Sequence, residues 1–253
     1  MSSKRDSSLH ADASGERDQQ RQIAEITELV GGLAHELRNP LSTMMVNLKL
    51  LTEDLQDLDT HPEDTRRRAL LKLDVLKREA ERLQTLFDKF LNLTVSDGPE
   101  LSETDINAVV RGLVEFFEPS AKNANVTIEL ALAPDPLLCQ ADEKLLRQAL
   151  LNIVINGQQA MPDGGTLRII TDVQNDDVII RVADTGTGVA REDRDRILRP
   201  FFSTKAGGNG LGLSITQRII SEHSGSLSFE SEPGEGTTFT IRLPQDDADS
   251  ASA

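Results

Sequence analysis

With 253 residues, 38% of them hydrophobic, the chain is long enough for two modest domains that each bury an apolar core. Its 42 acidic residues outnumber the 27 basic ones, and the formal net charge of −15 disfavours nucleic acid and anionic membranes as partners. Cys139 is the one cysteine, which excludes an intrachain disulfide and a cysteine-based zinc cluster.

The two ends of the chain are polar. Residues 1–21 lack the apolar core of a secretory signal, and no run in the chain approaches the roughly 20 apolar residues that span a bilayer. We therefore expect a cytoplasmic protein without membrane contact. Residues 1–21 and the acidic tail 245–253 are too polar to pack, so we predict that both are disordered.

Residues 22–96 carry two long helical patterns. Apolar side chains recur at steps of three or four along a first helix of about 35 residues, and they are Leu33, Leu37, Leu41, Met44, Leu48, Leu51, Leu55 and Leu58. After a break at 59–62 the pattern returns with Leu73, Leu76, Ala80, Leu83, Phe87 and Phe90. This predicts an αα-hairpin. Because one hairpin buries two narrow seams poorly, we expect two copies to form a four-helix bundle, and hence a homodimer.

Beyond a turn-rich boundary at 96–99, residues 101–244 alternate between helical and strand patterns. Helices are predicted at 105–123, 143–161 and 211–223. Strands are predicted at 126–132, 165–174, 176–184, 227–230 and 237–243. The mixture predicts an α+β two-layer sandwich, in which helices cover one face of a single sheet.

His35 is the first residue with chemical potential. At about 100° per residue it lies about 200° from Leu33 and from Leu37, so it points away from the apolar seam, beside the carboxylate of Glu36. An exposed imidazole next to a carboxylate is a candidate nucleophile, although an ordinary surface histidine is the better explanation of this position taken by itself. The other histidines lie in unrelated contexts, which disfavours a metal site.

A glycine-rich string, GGNGLGLS at 207–214, stands directly before a predicted helix. Glycine allows close backbone approach, and a helix N-terminus offers unpaired N–H groups to phosphate. The string is neither a P-loop nor a dinucleotide fingerprint, because no Gly-Lys-Ser/Thr follows and Leu213 stands where a third glycine belongs. A flexible turn is the alternative interpretation.

Two further features favour a nucleotide. Asp184 follows an apolar strand and precedes Gly186 and Gly188, so its carboxylate could accept a hydrogen bond from an exocyclic amine such as that of adenine. Asn152 and Asn156 share one face of a helix, and an amide oxygen is a suitable Mg²⁺ ligand. A plain Asp-Gly turn and a structural asparagine remain as alternatives.

In order and spacing these motifs resemble the sensor histidine kinase family, over residues 22–244. Six motifs carry the resemblance: HELRNP at 35–40 (its H-box), LLNIVINGQQAM at 150–161 (N-box), DTGTGV at 184–189 (first glycine box), RPFFSTK at 199–205 (phenylalanine box), GNGLGL at 208–213 (second glycine box) and GEGTTF at 234–239 (last glycine box). The PFFSTK form is similar to kinases of the nitrogen-regulation type.

The resemblance implies a dimerisation and histidine-phosphotransfer hairpin at 22–96. It implies an ATP-binding domain at 101–244 with the fold shared by gyrase, Hsp90 and MutL. His35 would attack the γ-phosphate of ATP with help from Glu36, and Glu36 and Asn39 would position a water that dephosphorylates the partner.

The same resemblance implies a cofactor site for ATP and Mg²⁺. Asn156 would hold Mg²⁺ and Asp184 would recognise adenine. The loop from about Gly188 to Gly210 would close over the nucleotide as a lid, with Lys205 a candidate phosphate contact. A solvated surface lysine explains Lys205 equally well. The other implied binding residues are Asn152, Gly186, Gly188, Gly208, Gly210, Leu211, Gly212 and Thr237.

The chain departs from the family pattern in places. Arg199 stands where an acidic residue is common, and Gly157 replaces the usual alanine after the asparagine. We find no sensor domain or receiver domain in the sequence, so we expect the partner to be the receiver domain of a response regulator and the stimulus to be supplied in trans by another protein.

Three classes of function stay open at this point. The first is an active histidine autokinase that donates phosphate to the aspartate of a response regulator. The second is an ATP-binding scaffold or a phosphatase-dominated regulatory partner. The third, a nucleotide-driven clamp, is disfavoured because it does not need the His-Glu-x-x-Asn helix.

Overall fold

The computed structural model describes residues 31–34, 36–55, 62–94, 98–205 and 210–245. The ends predicted to be disordered, 1–21 and 245–253, lie outside this range except for Gln245, and so do His35 and Gly208. The chain divides into two compact units, Met1–Leu91 and Asn92–Ala253. In the part of the chain that the structure describes, none of the helices combines the length and the apolar character needed to cross a bilayer.

The first unit is the predicted helical hairpin. Helix α1 comprises residues 31–34 and 36–55, and α2 spans Pro62–Thr94. Asp54, near the end of α1, is buried and forms ion pairs with Lys72 and Arg68 of α2. Lys72 Nζ also donates to the carbonyl oxygen of Leu50 at 3.2 Å. These contacts hold the end of α1 against the first part of α2.

The second unit contains the remaining elements. Its strands are β1 (Ser102–Asp105), β2 (Val126–Ala131), β3 (Leu138–Ala141), β4 (Gly165–Gln174), β5 (Asp177–Asp184), β6 (Ser226–Glu232) and β7 (Gly236–Pro244). Its helices are α3 (Ile106–Asn123), α4 (Glu143–Ala160), a short 3-10 helix (Arg191–Asp193) and α5 (Gly212–Glu222).

The main sheet has the strand order β2-β4-β5-β7-β6. Only the edge pair β2 and β4 is parallel, and the other pairs are antiparallel. Helices α3, α4 and α5 pack against this sheet, and the core between them includes Leu150, Ile153, Ile180 and Ile220, each no more than 1% exposed. The α+β sandwich predicted from the sequence is confirmed.

Local sequence explains how the helices begin. The carboxylate of Asp142 accepts the N–H of Leu145 at 3.1 Å and caps α4. Burial would raise the pKa of Asp142, but hydrogen bonds from backbone N–H groups, that of Leu145 first, bring it below its ordinary value. The backbone N–H of Asp142 donates to His223 Nε2 at 2.9 Å, which ties the start of α4 to the end of α5.

The structure corrects one prediction about the sheet. Strands β1 and β3 form a separate two-stranded antiparallel sheet, whereas the sequence predicted a single sheet. Each strand has only four residues, and the sequence Ser-Glu-Thr-Asp of β1 has no apolar alternation that would reveal it. This small sheet packs at the start of α3, where Asp105 caps the helix by accepting the N–H of Asn107 at 2.9 Å.

Candidate functional site

Asp184, the last residue of β5, is a buried carboxylate with 8% of its surface exposed. Its Oδ1 accepts the backbone N–H of Gly186 at 2.9 Å and that of Thr237 at 3.3 Å. Burial raises the pKa of Asp184, although these two hydrogen bonds and the charge of Lys205 oppose the rise. Both bonds fall on Oδ1, so Oδ2 keeps its capacity to accept a hydrogen bond from a ligand.

The loop after Asp184 can be built only with glycine at two positions. A Cβ on Gly186 would lie 2.6 Å from the carbonyl oxygen of Ala160, and a Cβ on Gly188 would lie 2.1 Å from that of Glu232. Gly188 also has a φ of +67°, which disfavours other residues. Between them, Thr187 donates its N–H to Ala160 at 3.0 Å. The loop is therefore fixed against the end of α4 and the end of β6.

Asn152 and Asn156 are half-buried on one side of α4, as their spacing predicts. Asn152 Nδ2 donates to the carbonyl oxygen of Gly212, the first residue of α5, at 3.1 Å. The side-chain amide of Asn156 makes no hydrogen bond to any residue of the described ranges, so its oxygen keeps its capacity for a ligand. Asn152 thus positions the glycine-rich segment, while Asn156 has the donor atom that suits Mg²⁺.

Lys205 extends into the same region. Its Nζ donates to the backbone oxygen of Asn156 at 2.8 Å and approaches Gln159 Oε1 at 3.5 Å. Burial lowers the pKa of Lys205, and the charge of Asp184 opposes that change. A cation, a carboxylate and an amide thus converge at the end of α4.

The second glycine-rich segment leads into α5. Gly210 has a φ of +62°, and a Cβ there would lie 2.5 Å from the backbone of both Phe201 and Phe202. Leu211 is fully buried, and α5 begins at Gly212 without a side-chain cap. The first N–H groups of α5 therefore remain suited to an anion.

The first unit carries the other predicted site residues. Within α1, Glu36 is half-buried and Asn39 is exposed. His35 lies outside the described residues, so its role stays a prediction.

Some residues that shape the site were not predicted. The buried hydroxyl of Ser231 accepts the N–H of Val189 at 2.9 Å and lies 2.9 Å from both Gly236 O and Thr237 Oγ1. A Cβ on Gly236 would lie 1.9 Å from the carbonyl oxygen of Asp184. Nothing in the sequence indicated Ser231, because it follows the strand predicted at 227–230 and stands between Glu230 and Glu232.

Gly157, the departure from the family pattern, has a local explanation. A Cβ at this position would lie 2.8 Å from Leu167 Cδ1 and 3.3 Å from Asp184 Cβ. The Leu167 side chain therefore fills the space that an alanine methyl group would take. Glycine at position 157 is therefore compatible with the observed position of the Asp184 carboxylate.

Each of the two units matches a known protein family. Residues 25–98 match the family described as His Kinase A (phospho-acceptor) domain. Residues 141–247 match the family described as histidine kinase-, DNA gyrase B-, and HSP90-like ATPase. The two matches follow one another in the order of the predicted domains.

Curated relatives give the same result. Sensor histidine kinase ZraS of Klebsiella oxytoca is 34% identical over 225 residues, which cover 88% of this chain and 46% of that protein. Sporulation kinase E of Bacillus subtilis (strain 168) is 32% identical over 222 residues, which cover 87% of this chain and 28% of that protein. The chain therefore spans less than half the length of these two relatives.

Solved structures agree. The nucleotide-free catalytic domain of histidine kinase ThkA is 30% identical, with a TM-score of 0.53, and the match covers 58% of this chain and 96% of that one. ThkA in complex with the response regulator protein TrrA matches with a TM-score of 0.70 at 24% identity, over 93% of this chain and 66% of that one. The latter likeness shows a shared fold.

Proposed function

The chain belongs to the sensor histidine kinase family, and on that premise we propose that it is an ATP-dependent autokinase that phosphorylates His35 and donates the phosphoryl group to an aspartate of a response regulator. The observation that carries the proposal is the buried Asp184 carboxylate, held by two backbone N–H groups at the end of β5. Its position beside the glycine loop suits an acceptor for the exocyclic amine of adenine.

The phosphates and the metal would use the other side of the site. Asn156 supplies an amide oxygen for Mg²⁺, which neutralises charge on the phosphates when it is bound. Lys205 supplies positive charge for the phosphate oxygens, and the N-terminus of α5, which begins at Gly212 directly after Leu211, supplies N–H groups. We assign Gly208 and Gly210 to the same segment.

The chemistry is an in-line transfer. A ring nitrogen of His35 forms a bond to the γ-phosphorus of ATP while the bond from that phosphorus to the β,γ-bridging oxygen breaks, and ADP leaves. Glu36, the next residue of α1, takes or orients the imidazole proton. When the protein dephosphorylates its partner, Glu36 and the exposed Asn39 position a water that attacks the phosphoaspartate and releases inorganic phosphate.

We also propose that the protein works as a homodimer. An apolar stripe of α1 is exposed in the hairpin, with Leu41 at 50%, Met45 at 68% and Leu48 at 46%. Exposed apolar residues that share one helix face suit the core of a four-helix bundle made by two copies. The boundaries of this hairpin, 22–96, and of the ATP-binding domain, 101–244, are part of the proposal.

The partner is inferred from chemistry and from a relative. A phosphohistidine is a high-energy donor that needs a nucleophile, and the ThkA structure contains a response regulator protein. We propose a receiver domain as the partner here, with the stimulus supplied by another protein. We also propose that the phenylalanine motif at 200–205 places the chain near kinases of the nitrogen-regulation type.

Labelling with γ-³²P-ATP and Mg²⁺ tests this function. We expect label on the wild-type chain that is acid-labile and base-stable, lost in His35→Gln and retained in the control His61→Gln. An unlabelled wild-type chain that still binds ATP would favour the scaffold or phosphatase alternative. Label retained in His35→Gln would exclude His35 as the acceptor.

A further inference from the structure

Arg194 follows the first glycine loop, and its side chain reaches the end of β6. Its Nη2 donates a hydrogen bond to the carbonyl oxygen of Ser231 and lies 3.1 Å from Glu232 Oε1. Arg191 approaches the other oxygen of the same carboxylate at 3.7 Å. Hydrogen bonding to Arg194 is the main cause that lowers the pKa of Glu232. We call the contacts of Arg194 with Ser231 and Glu232 the clasp.

The clasp shares its strand end with the glycine loop. Val189 donates its N–H to Ser231 Oγ at 2.9 Å, and Gly188 packs so closely on the carbonyl oxygen of Glu232 that a Cβ would lie 2.1 Å from it. Both contacts use the two residues that Arg194 holds. Movement of this strand end would therefore move the loop that follows Asp184.

The same strand end is linked to Asp184 through β7. Glu232 pairs with Gly236 in the sheet register, and the next residue, Thr237, donates its N–H to Asp184 Oδ1. Ser231 Oγ lies 2.9 Å from the carbonyl oxygen of Gly236. Two residues, Ser231 and Thr237, thus connect Arg194 to the carboxylate proposed to recognise adenine.

The segment that begins at the clasp also has a second anchor. The guanidinium of Arg196 lies 4.3 Å from the ring centre of Phe202, and Gly210 packs on the backbone of Phe201 and Phe202. Residues 189–202 are therefore held at three places: at Val189 by Ser231, at Arg194 by the clasp, and at 201–202 by the packing of Gly210.

An ion pair of this exposure contributes little to stability. The side chain of Arg194 is 31% exposed and that of Glu232 is 49% exposed, so solvent screens their attraction. The buried Nε of Arg194 has no hydrogen-bond partner among the described residues, which adds a cost. The clasp therefore acts mainly by positioning the segment 189–202 against the end of β6, and it adds little to the stability of the fold.

We propose that Arg194 and Glu232 are positioning residues that pre-form the adenine side of the nucleotide site. The inference rests on the proposed function, because it takes ATP as the ligand. Because the loop and the segment 189–202 are already ordered before binding, the protein loses less conformational entropy when the nucleotide binds. Breaking the clasp lowers nucleotide affinity without unfolding the domain.

The test is titration of the full chain with the fluorescent analogue trinitrophenyl-ATP in Mg²⁺, with thermal unfolding of each variant measured alongside. We expect Arg194→Gln and Glu232→Gln each to raise the Kd about five- to tenfold, and the double variant to raise it no further than Arg194→Gln does, because both substitutions break the ion pair between these two residues. Arg194→Lys, which keeps a cation for both acceptors, should recover much of the affinity.

The matched control is the pair Arg242 and Asp177, 3.0 Å apart at the opposite end of β5 and β7 from Asp184. Arg242→Gln should leave the Kd within about twofold of the wild-type value, since ion pairs of this exposure act locally. Lower affinity in this control equal to that of Arg194→Gln would show a general effect on the sheet and overturn the proposal.

The outcomes distinguish a failure of the clasp from a failure of the proposed ATP-dependent function. Normal binding by the wild type with unchanged affinity in Arg194→Gln overturns the clasp alone, as does an additive double variant. Absence of binding by the wild type overturns the proposed function and the clasp with it. If Arg194→Gln does not fold, Arg194→Lys and Glu232→Gln decide, and wild-type affinity in Glu232→Gln contradicts the clasp.

Discussion

The hairpin and the ATP-binding unit differ in what they leave uncovered. In the ATP-binding unit the central residues of β5 and α4, such as Ile179 and Leu146, are fully buried. In the hairpin, Leu41, Met45 and Leu48 share a face of α1 and are about half exposed or more. One unit completes its own core, whereas the other lacks a covering surface. A substitution on the exposed face of α1 should therefore leave nucleotide affinity unchanged, and a substitution in the nucleotide site should leave dimerisation unchanged.

The largest effect is expected from the hairpin. Leu41→Asp combined with Leu48→Asp places carboxylates in the proposed bundle core, where they lose hydration without gaining partners. We expect the dimer dissociation constant to rise about a hundredfold or more, measured by light scattering. Nucleotide affinity should not change.

The control for that experiment is Ser42→Asp combined with Lys49→Asp. Both residues are exposed on α1 next to the stripe, seven positions apart like the test pair. This control adds at least as much negative charge and should leave the dimer intact. A wild-type protein that is already monomeric at micromolar concentration would contradict the bundle.

Asp184→Asn should act on the other unit alone. The amide oxygen can still accept both backbone N–H groups at the Oδ1 position, but an NH₂ donor then replaces Oδ2, the acceptor proposed for the amine of adenine. We expect the Kd for trinitrophenyl-ATP to rise about tenfold to a hundredfold. Asp172→Asn, an exposed carboxylate on β4 that accepts a backbone N–H at 2.9 Å, is the matched control. Equal loss in both variants would exclude a specific role for Asp184.

Asp54→Ala should destabilise the hairpin and spare the nucleotide site. It leaves Lys72 without its buried partner, at a cost of about 1–2 kcal/mol in the free energy of unfolding. The control Asp74→Ala removes an exposed pair with Arg78 and should cost less than about 0.5 kcal/mol. Denaturant unfolding of both variants measures the difference, and equal costs would contradict the role of burial.

The smallest and most gradual effect concerns pH. Burial raises the pKa of Asp184 above the ordinary value of 3.8, so its charge is lost at a higher pH than for an exposed aspartate. Nucleotide affinity should fall as the pH drops through that raised pKa, by no more than about tenfold per pH unit.

The stability contribution of Asp184 has the opposite sign. Because its folded pKa is raised, the contribution is fully present below pH 3.8 and is lost as the pH rises through the raised pKa. Titrations of the wild type and of Asp184→Asn at several pH values separate the effects. A decline of affinity with the same pH dependence in Asp184→Asn would show that another group is responsible.

Much of the fold was predictable because its signals are local. Apolar periodicity predicted the hairpin and the long helices, and the polar pair Asn175 and Asp176, both with positive φ, formed the expected tight turn between β4 and β5. The strands β1 and β3 were missed because four residues carry too little periodicity. Their pairing depends on the tertiary packing at the start of α3.

The site was predictable only in part, because some of its residues act through contacts between segments that are distant in sequence. Asp184 and Asn156 stand in motifs whose chemistry can be read along the chain. Ser231 and Arg194 act through backbone groups that are distant in sequence, and an arginine in a charged segment has no pattern that indicates its partner. Such contacts follow from strand register and loop packing, which the structure supplies.

We propose that the ATP-binding unit delivers phosphate to His35 of the hairpin. Peptide mapping of the full chain after incubation with ATP and Mg²⁺, under conditions that preserve phosphohistidine, tests it most directly. At an ATP concentration near the wild-type Kd, we predict phosphate on His35 in the wild type and about one tenth of that amount or less in Asp184→Asn. Phosphate on a different residue, or on His35 at the wild-type level in Asp184→Asn, would contradict the account.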